Sequence, residues 1–229
     1  MHNVKIKVMK GIHDENDHLA AHVNMHLTGR QIFAVNLMGA PGIGKTSCLK
    51  QLISGIKPLK PYVIEGDIES DLDTQALRTL GITTFQINTF GACHLDAPLV
   101  HNAIQNMEFD QKGILFIENI GNLVCPAEFS IGEHIKVLVC SVTEGSDKPY
   151  KYPLAFEKAE MILLNKIDLT PHVDFDEDFF AKGLRALNKK APLFAVSAKT
   201  GEGFTKAAAW LKERAEKVEA AYPQHHHHE

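Results

Sequence analysis

Gly39-Ala40-Pro41-Gly42-Ile43-Gly44-Lys45-Thr46 decides the fold class, because this G-x-x-x-x-G-K-T run follows the apolar stretch Ile32–Leu37 and precedes the helical pattern Ser47-Cys48-Leu49-Lys50-Gln51-Leu52-Ile53. Strand, glycine loop and helix in that order make a phosphate-binding unit. Its glycines let backbone N–H groups curl around phosphate oxygens, and the helix N-terminus adds partial positive charge. Gly39, Gly42, Ile43, Gly44, Lys45, Thr46 and Ser47 are therefore expected against a nucleotide. Lys45 would reach the β and γ phosphates and Thr46 would offer a hydroxyl to Mg²⁺.

Outward from this loop, apolar runs recur at Ile32–Leu37, Pro61–Ile64, Thr84–Ile87, Ile114–Ile117, Ile135–Val142, Met161–Leu164 and Leu193–Val196, with helical stretches between most of them. That alternation predicts βαβ units. Runs such as Ile114-Leu115-Phe116-Ile117 show no apolar–polar alternation, as strands covered on both faces require. The expected fold is a three-layer α/β P-loop NTPase with a mostly parallel central sheet and helices on both faces. Leu19, Val23 and Leu27, four apart, predict an amphipathic helix over residues 14–29. Residues 1–29 are thus expected to pack on a main domain at 30–222, with 223–229 a histidine-rich tail. A final helix from Gly203 to about Ala221 should bury Phe204, Ala208, Leu211, Ala215 and Val218 and pair Glu213 with Lys217 on its outer side.

The 229 residues are ample for a core, and 24 Lys plus Arg against 28 Asp plus Glu leave a net charge of −4. This balance does not suit a nucleic-acid binder. No run approaches the roughly 18 apolar residues of a membrane span, and Met1-His2-Asn3-Val4-Lys5 opens no signal-peptide core, so a cytoplasmic protein is expected. Four scattered cysteines argue for thiol or metal chemistry over a disulfide framework.

Two further strand ends carry polar motifs. Asn165-Lys166-Ile167-Asp168 follows Met161–Leu164, and Ser197-Ala198-Lys199 follows Leu193–Val196; open α/β sheets place ligands at such ends. The Asp168 carboxylate can accept from N1–H and the 2-amino group of guanine together, an edge adenine lacks. Asn165 would orient the loop, Lys166 would lie over the base, and the Ala198 N–H would meet the guanine O6. The spacing resembles the guanine-specificity elements of GTPases. Glu118, in Glu118-Asn119-Ile120-Gly121, stands where many GTPases have the Asp of Asp-x-x-Gly, and Asp67 is a second acid for Mg²⁺ or the attacking water. With Lys45 these suffice for slow hydrolysis, since phosphoryl transfer needs mainly position and charge. The chain has only Arg30, Arg78, Arg185 and Arg214, and none accompanies these motifs.

Cys93-His94 and Cys125 also fall at strand ends. Two thiolates and an imidazole suit Ni²⁺ or Zn²⁺ but are one donor short of a closed zinc site; three unrelated residues are the competing reading. Cys48 and Cys140 read as core. His18, His22 and His26 share one helix edge at a workable chelate spacing, against the plainer reading of a solvated face. His225–His228 could be a metal-buffering tail or a tag remnant.

The phosphate loop, Glu65-Gly66-Asp67, Asn88-Thr89, Cys93-His94-Leu95-Asp96-Ala97, Glu118 to Pro126, Ser141-Val142-Thr143-Glu144-Gly145, Asp147-Lys148-Pro149, Lys151-Tyr152-Pro153 and Asn165 to Asp168 together resemble the HypB family, nickel-inserting GTPases of [NiFe]-hydrogenase maturation. The resemblance spans roughly residues 30–215. It implies GTP/GDP and Mg²⁺ at the loop and a SIMIBI-class homodimer formed with GTP. It further implies Ni²⁺ or Zn²⁺ on Cys93, His94 and Cys125 at the dimer interface, a HypA-like accessory partner and a hydrogenase large-subunit precursor as recipient. Two departures stand out: the cysteine-rich N-terminal nickel motif of some members is absent here, and Gly91 replaces a lysine that many carry. Three other readings are a urease-type nickel GTPase, a kinase, and a non-catalytic nickel store. The first should show Cys-Pro-His, the second an arginine-bearing lid, and the third needs no intact nucleotide site.

Overall fold

A computed structural model describes residues 2–66, 77–79, 81–89 and 91–221, the side chains of 2–12 and 219–221 excepted. Asp67 and His225–His228 lie outside the described residues. Strands β1 (Ile32–Met38), β2 (Lys60–Glu65), β3 (Thr83–Gln86), β4 (Gly113–Glu118), β5 (Ile135–Ser141), β6 (Met161–Asn165) and β7 (Leu193–Ala195) form one sheet in the order β3-β2-β4-β1-β5-β6-β7. Every strand pair in it is parallel. The seven strands coincide with the seven apolar runs, and the central strands β1, β4 and β5 are buried along their whole length.

Alternate residues of each strand feed the two outer layers. Phe33, Val35 and Leu37 of β1 pack with Leu49 and Leu52 of α2 (Lys45–Gly55) and with Phe204, Ala208 and Leu211 of α8 (Phe204–Ala221). Ile32 and Ala34 face the other way, against Val23 and Leu27 of α1 (His2–Gly29) and Val100, Ala103 and Ile104 of α3 (Ala97–Gln105). Beyond β5 that second layer continues with α6 (Pro153–Lys158) and α7 (Glu177–Leu187), which bury Phe156, Phe180 and Leu184. Two four-residue helices, α4 (Cys125–Glu128) and α5 (Lys148–Lys151), lie in the connections after β4 and β5.

The first helix begins at His2, well before the expected residue 14; no proline interrupts 2–13, and one interior glycine, Gly11, costs a helix only about 1 kcal/mol. Its inward face keeps Val23 and Leu27 of the predicted stripe and adds Asn16 and Ala20. Asn16, Ala20, Val23 and Leu27 are buried, and Leu19 is only half-buried. A polar residue is tolerated there because Asn16 Nδ2 donates to Ser130 O (2.8 Å) and its Oδ1 accepts from Ala97 N (3.0 Å). In α8 the Glu213–Lys217 pair forms at 2.6 Å. Cys48 and Cys140 are core residues, and burial holds both thiols protonated, that of Cys48 at about 12.

Candidate functional site

Parallel topology brings the carboxyl ends of the strands to one edge of the sheet, where the phosphate loop follows β1, Glu65 ends β2, Glu118 ends β4, Asn165 to Asp168 follow β6 and Ser197 to Lys199 follow β7. The phosphate loop turns through left-handed backbone at Gly42 (φ 73°) and Gly44 (φ 90°). A side chain at Gly44 would come within 2.8 Å of Asn165 Nδ2, so glycine is needed for approach as well as conformation. Gly44 caps α2 without any side-chain hydrogen bond, which leaves the first N–H groups of that helix for an anion. Lys45 is buried, its Nζ donating to Gly39 O and Ala40 O at 3.3 Å each. Thr46 Oγ1 donates to Glu118 Oε1 at 2.8 Å, so the hydroxyl and carboxylate expected around Mg²⁺ are side by side. These are hard oxygen donors at the mouth of the phosphate loop, a set that fits Mg²⁺. Glu65 is the acid that sequence reasoning passed over. It pairs in register with Glu118 across β2 and β4 and is buried beside it; the signal was a carboxylate ending a strand next to β4.

Asn165 ties the base-side elements to the phosphate loop: its Nδ2 donates to Ile43 O (2.9 Å) and its Oδ1 accepts from Ala198 N (3.0 Å). The Ala198 N–H expected at a guanine O6 is thus engaged within the protein, and meeting a base requires that bond to be shared. Lys166 takes a left-handed backbone (φ 62°) and stretches across to Gly42 O at 2.8 Å. Ser197 Oγ donates to Asp168 Oδ1 (2.6 Å) and accepts from Thr200 N (3.2 Å), which fixes the carboxylate. Gly44, Ser47, Asn165, Lys166, Asp168, Leu169, Ala198 and Lys199 enclose a cavity of about 350 Å³, within the range of small-ligand pockets. A larger hollow of about 580 Å³ between α2 and α8 holds no phosphate- or base-reading residue beyond the loop's flanks, so chemistry and not size places the nucleotide.

Cys93, His94 and Cys125 also converge, their ligating atoms all within 4.8 Å of one another. Cys93 Sγ lies 3.3 Å from His94 Nδ1 and 3.4 Å from Cys125 Sγ, so the cysteines are free thiols. The neighbouring Cys93 and burial push the Cys125 thiol up, and burial pushes His94 down, which favours the neutral imidazole a metal needs. A soft, partly exposed N/S set of this kind fits Ni²⁺ or Zn²⁺.

Four further side chains, Phe129, Lys136, Asn119 and Asn122, shape this cluster. Phe129 lies stacked between two imidazoles, 4.4 Å from His94 and 4.7 Å from His13 of α1 by ring centroids. Lys136, buried on β5, donates to Phe129 O (2.6 Å) and Pro126 O (3.3 Å) and pairs with buried Glu133 (2.6 Å), anchoring the segment that carries Cys125. Asn119, fully buried after β4, accepts from Leu95 N at 3.1 Å and donates to Asn36 Oδ1 at 3.1 Å, holding the Cys93-His94 arm beside Glu118. Asn122 joins the two arms: its Nδ2 donates to Cys93 O (3.2 Å) and its Oδ1 accepts from Val124 N (2.9 Å), while its backbone bridges Gly39 of the phosphate loop. Gly121 sits against Pro41, where an added Cβ would come within 2.9 Å. The Cys93, His94 and Cys125 cluster and the phosphate loop therefore share a wall.

A nucleotide-binding family model described as CobW/HypB/UreG matches residues 33–195. The chain is 45% identical over 208 residues to hydrogenase maturation factor HypB of Rhizobium leguminosarum bv. viciae, covering 90% of this chain and 70% of that one. It belongs to the HypB hydrogenase maturation factors. The structure of HypB from Helicobacter pylori in complex with nickel superposes with a TM-score of 0.84 at 31% identity, over 93% of this chain and all of that one. HypB from Archaeoglobus fulgidus gives 0.82 at 34% identity, over 88% and 99%. Family and site together make this HypB-family chain a P-loop GTPase. Among the described residues no helix is long and apolar enough to cross a membrane.

Proposed function

We propose that this chain is a GTP-hydrolysing metallochaperone that delivers nickel to the large-subunit precursor of a [NiFe]-hydrogenase, with a HypA-like protein as accessory partner. The observation that carries the reading is the shared wall: Asn122 reaches Cys93 O by its side chain and Gly39 by its backbone. Cys93, His94 and Cys125 supply three donors where a closed tetrahedral site has four. A second copy of the chain, brought together by GTP, would complete the shell, so metal and GTP favour the same homodimer. The chain would act in the cytoplasm, with residues 30–222 as the catalytic unit.

In hydrolysis the loop N–H groups and Lys45 hold the phosphates, and Lys45 gives up its loop carbonyls for phosphate oxygens. Mg²⁺, held by Thr46 and Glu118, would neutralise charge on the phosphates, and Zn²⁺ could occupy the thiolate site in place of nickel. Asp67 and Glu118 are the acids for positioning the attacking water. Asp168, steadied by Ser197, selects guanine. Asn165 orders the loop between base and phosphate, with Lys166, Ala198 and Lys199 around the ring.

Steady-state hydrolysis and Ni²⁺ competition titrations on wild type and Cys93→Ala test the assignment. GTP turnover, ATP inert, and a Ni²⁺ equivalent lost only in the variant are expected. Equal turnover of ATP, or Ni²⁺ binding indifferent to Cys93→Ala, contradicts it.

A further inference from the structure

His18, His22 and His26 occupy the exposed edge of α1 and take no part in the nucleotide or thiolate sites. Packing of Val23 and Leu27 against Val100, Ala103 and Ile104 lays α1 beside α3 and sets their outer edges together. His101 of α3 consequently meets His22 edge-to-face, with ring centroids 5.9 Å apart. His26 follows His22 by one turn on the same edge, the i, i+4 spacing by which helices present two imidazoles to one ion. On α3 the corresponding next position is Gln105, whose Nε2 lies 3.1 Å from His101 Nε2.

We propose that His22, His26 and His101 form a second transition-metal site, taking Ni²⁺ or Zn²⁺ through imidazole nitrogens with water completing the shell. Three borderline nitrogen donors and no carboxylate select these ions over Mg²⁺ or Ca²⁺. Burial first, then Arg30, His22 and His101, lower the His26 pKa, a direction that favours the neutral ring over the protonated one. The three rings stand wider than the Cys93 cluster, the one group of three whose ligating atoms already lie within 4.8 Å among the described residues. Metal–nitrogen bonds of roughly 2.0–2.1 Å bring ligating atoms to about 3–3.5 Å apart, so the rings must rotate inward. Exposed rotamers exchange in picoseconds to nanoseconds, and the ordering they lose makes this the weaker of the two sites. His22 lies roughly 13 Å along α1 from His13, at 1.5 Å per residue, and His13 stacks on Phe129 beside His94. The histidine site is therefore a near neighbour of the thiolate site and separate from it.

The test is Ni²⁺ titration of the full chain in GDP, with His225–His228 changed to glutamine in every sample, followed by histidine ring NMR and by binding isotherms. The His22, His26 and His101 signals should broaden together while exposed His172 stays sharp. His22→Gln combined with His101→Gln should weaken the second class of Ni²⁺ by about tenfold or more, as loss of ligand-level contacts does. The thiolate-to-nickel charge-transfer absorption and GDP affinity should be unchanged, showing an intact fold and first site. Broadening spread over every exposed histidine, or a second class that survives the double substitution, overturns the proposal.

Discussion

Asn122→Ala removes a side chain that ties together both arms of the Cys93, His94 and Cys125 cluster. Two neutral hydrogen bonds go, from Nδ2 to Cys93 O at 3.2 Å and from Val124 N to Oδ1 at 2.9 Å, along with the contact to the Cys125 thiol. Neutral hydrogen bonds contribute about 0.5–1.5 kcal/mol each in net terms, and half-buried Asn122 leaves both former partners open to water. The arms then sample more positions before metal gathers them. Adding the two bonds gives about 1–3 kcal/mol, which at 1.4 kcal/mol per decade is roughly a 5- to 150-fold weaker metal complex. The backbone bridge from residue 122 to Gly39 survives the substitution, so the phosphate loop keeps its wall. Competition between the protein and a chromophoric chelator for Ni²⁺ reads the first quantity, and displacement of a fluorescent guanine nucleotide reads the second. Unchanged Ni²⁺ affinity, or a loss of GDP affinity as large as the loss of metal, would refute the assignment of Asn122 as the clasp between the arms.

Asp168→Asn should lose guanine by about 1–3 kcal/mol or more and gain xanthine, whose edge offers an acceptor where guanine has a donor, measured by nucleotide competition. Basal GTP turnover should be far below tens per second, because Arg78, Arg185 and Arg214 bond or stack elsewhere and an arginine finger supplies roughly 10³–10⁵ in rate; Lys45→Ala should abolish what remains, by phosphate release. Lys136→Met strands buried Glu133 and should cost about 3–5 kcal/mol in urea denaturation while loosening the Cys125 segment. His134 accepts from Ala34 N and is held by burial at about 4, below its ordinary 6.5, so the unfolded chain binds the extra proton between these values. Stability present above pH 6.5 should fall by about 3 kcal/mol as pH drops to 4, and His134→Gln should flatten that slope in pH-dependent melts.

The strands and the nucleotide motifs were legible because each is local. A buried parallel strand is a continuous apolar run, and a phosphate loop needs only its glycines, its lysine and its flanks, as Ile32–Met38 and Gly39 to Thr46 show. Cys93, His94 and Cys125 were legible as residue types at strand ends, and family resemblance grouped them. What composes them into a site was not legible. Lys136 reaches back to Phe129 from another strand, and His13 meets Phe129 across more than a hundred residues of sequence. Such contacts follow from layer packing and leave no periodicity. Asn119 and Asn122 read as loop residues until their hydrogen bonds are seen, and Glu65 read as a strand end until β2 and β4 set it beside Glu118. In the α1 stripe Val23 and Leu27 were read correctly, while Asn16 was missed because it is polar and satisfied by Ser130 and Ala97, which a hydrophobic pattern cannot register.

In the proposed function, nucleotide and cargo metal act on one assembly through the wall they share. The most direct test is the Ni²⁺ dissociation constant of the Cys93, His94 and Cys125 site at equilibrium, with GDP and with a non-hydrolysable GTP analogue, at matched protein concentration. Coupling free energies between sites run to about 1–3 kcal/mol, so Ni²⁺ should bind roughly 5- to 150-fold more tightly with the analogue, and Cys125→Ala should erase the difference. Equal Ni²⁺ affinity in the two nucleotide states would contradict coupling between the two sites.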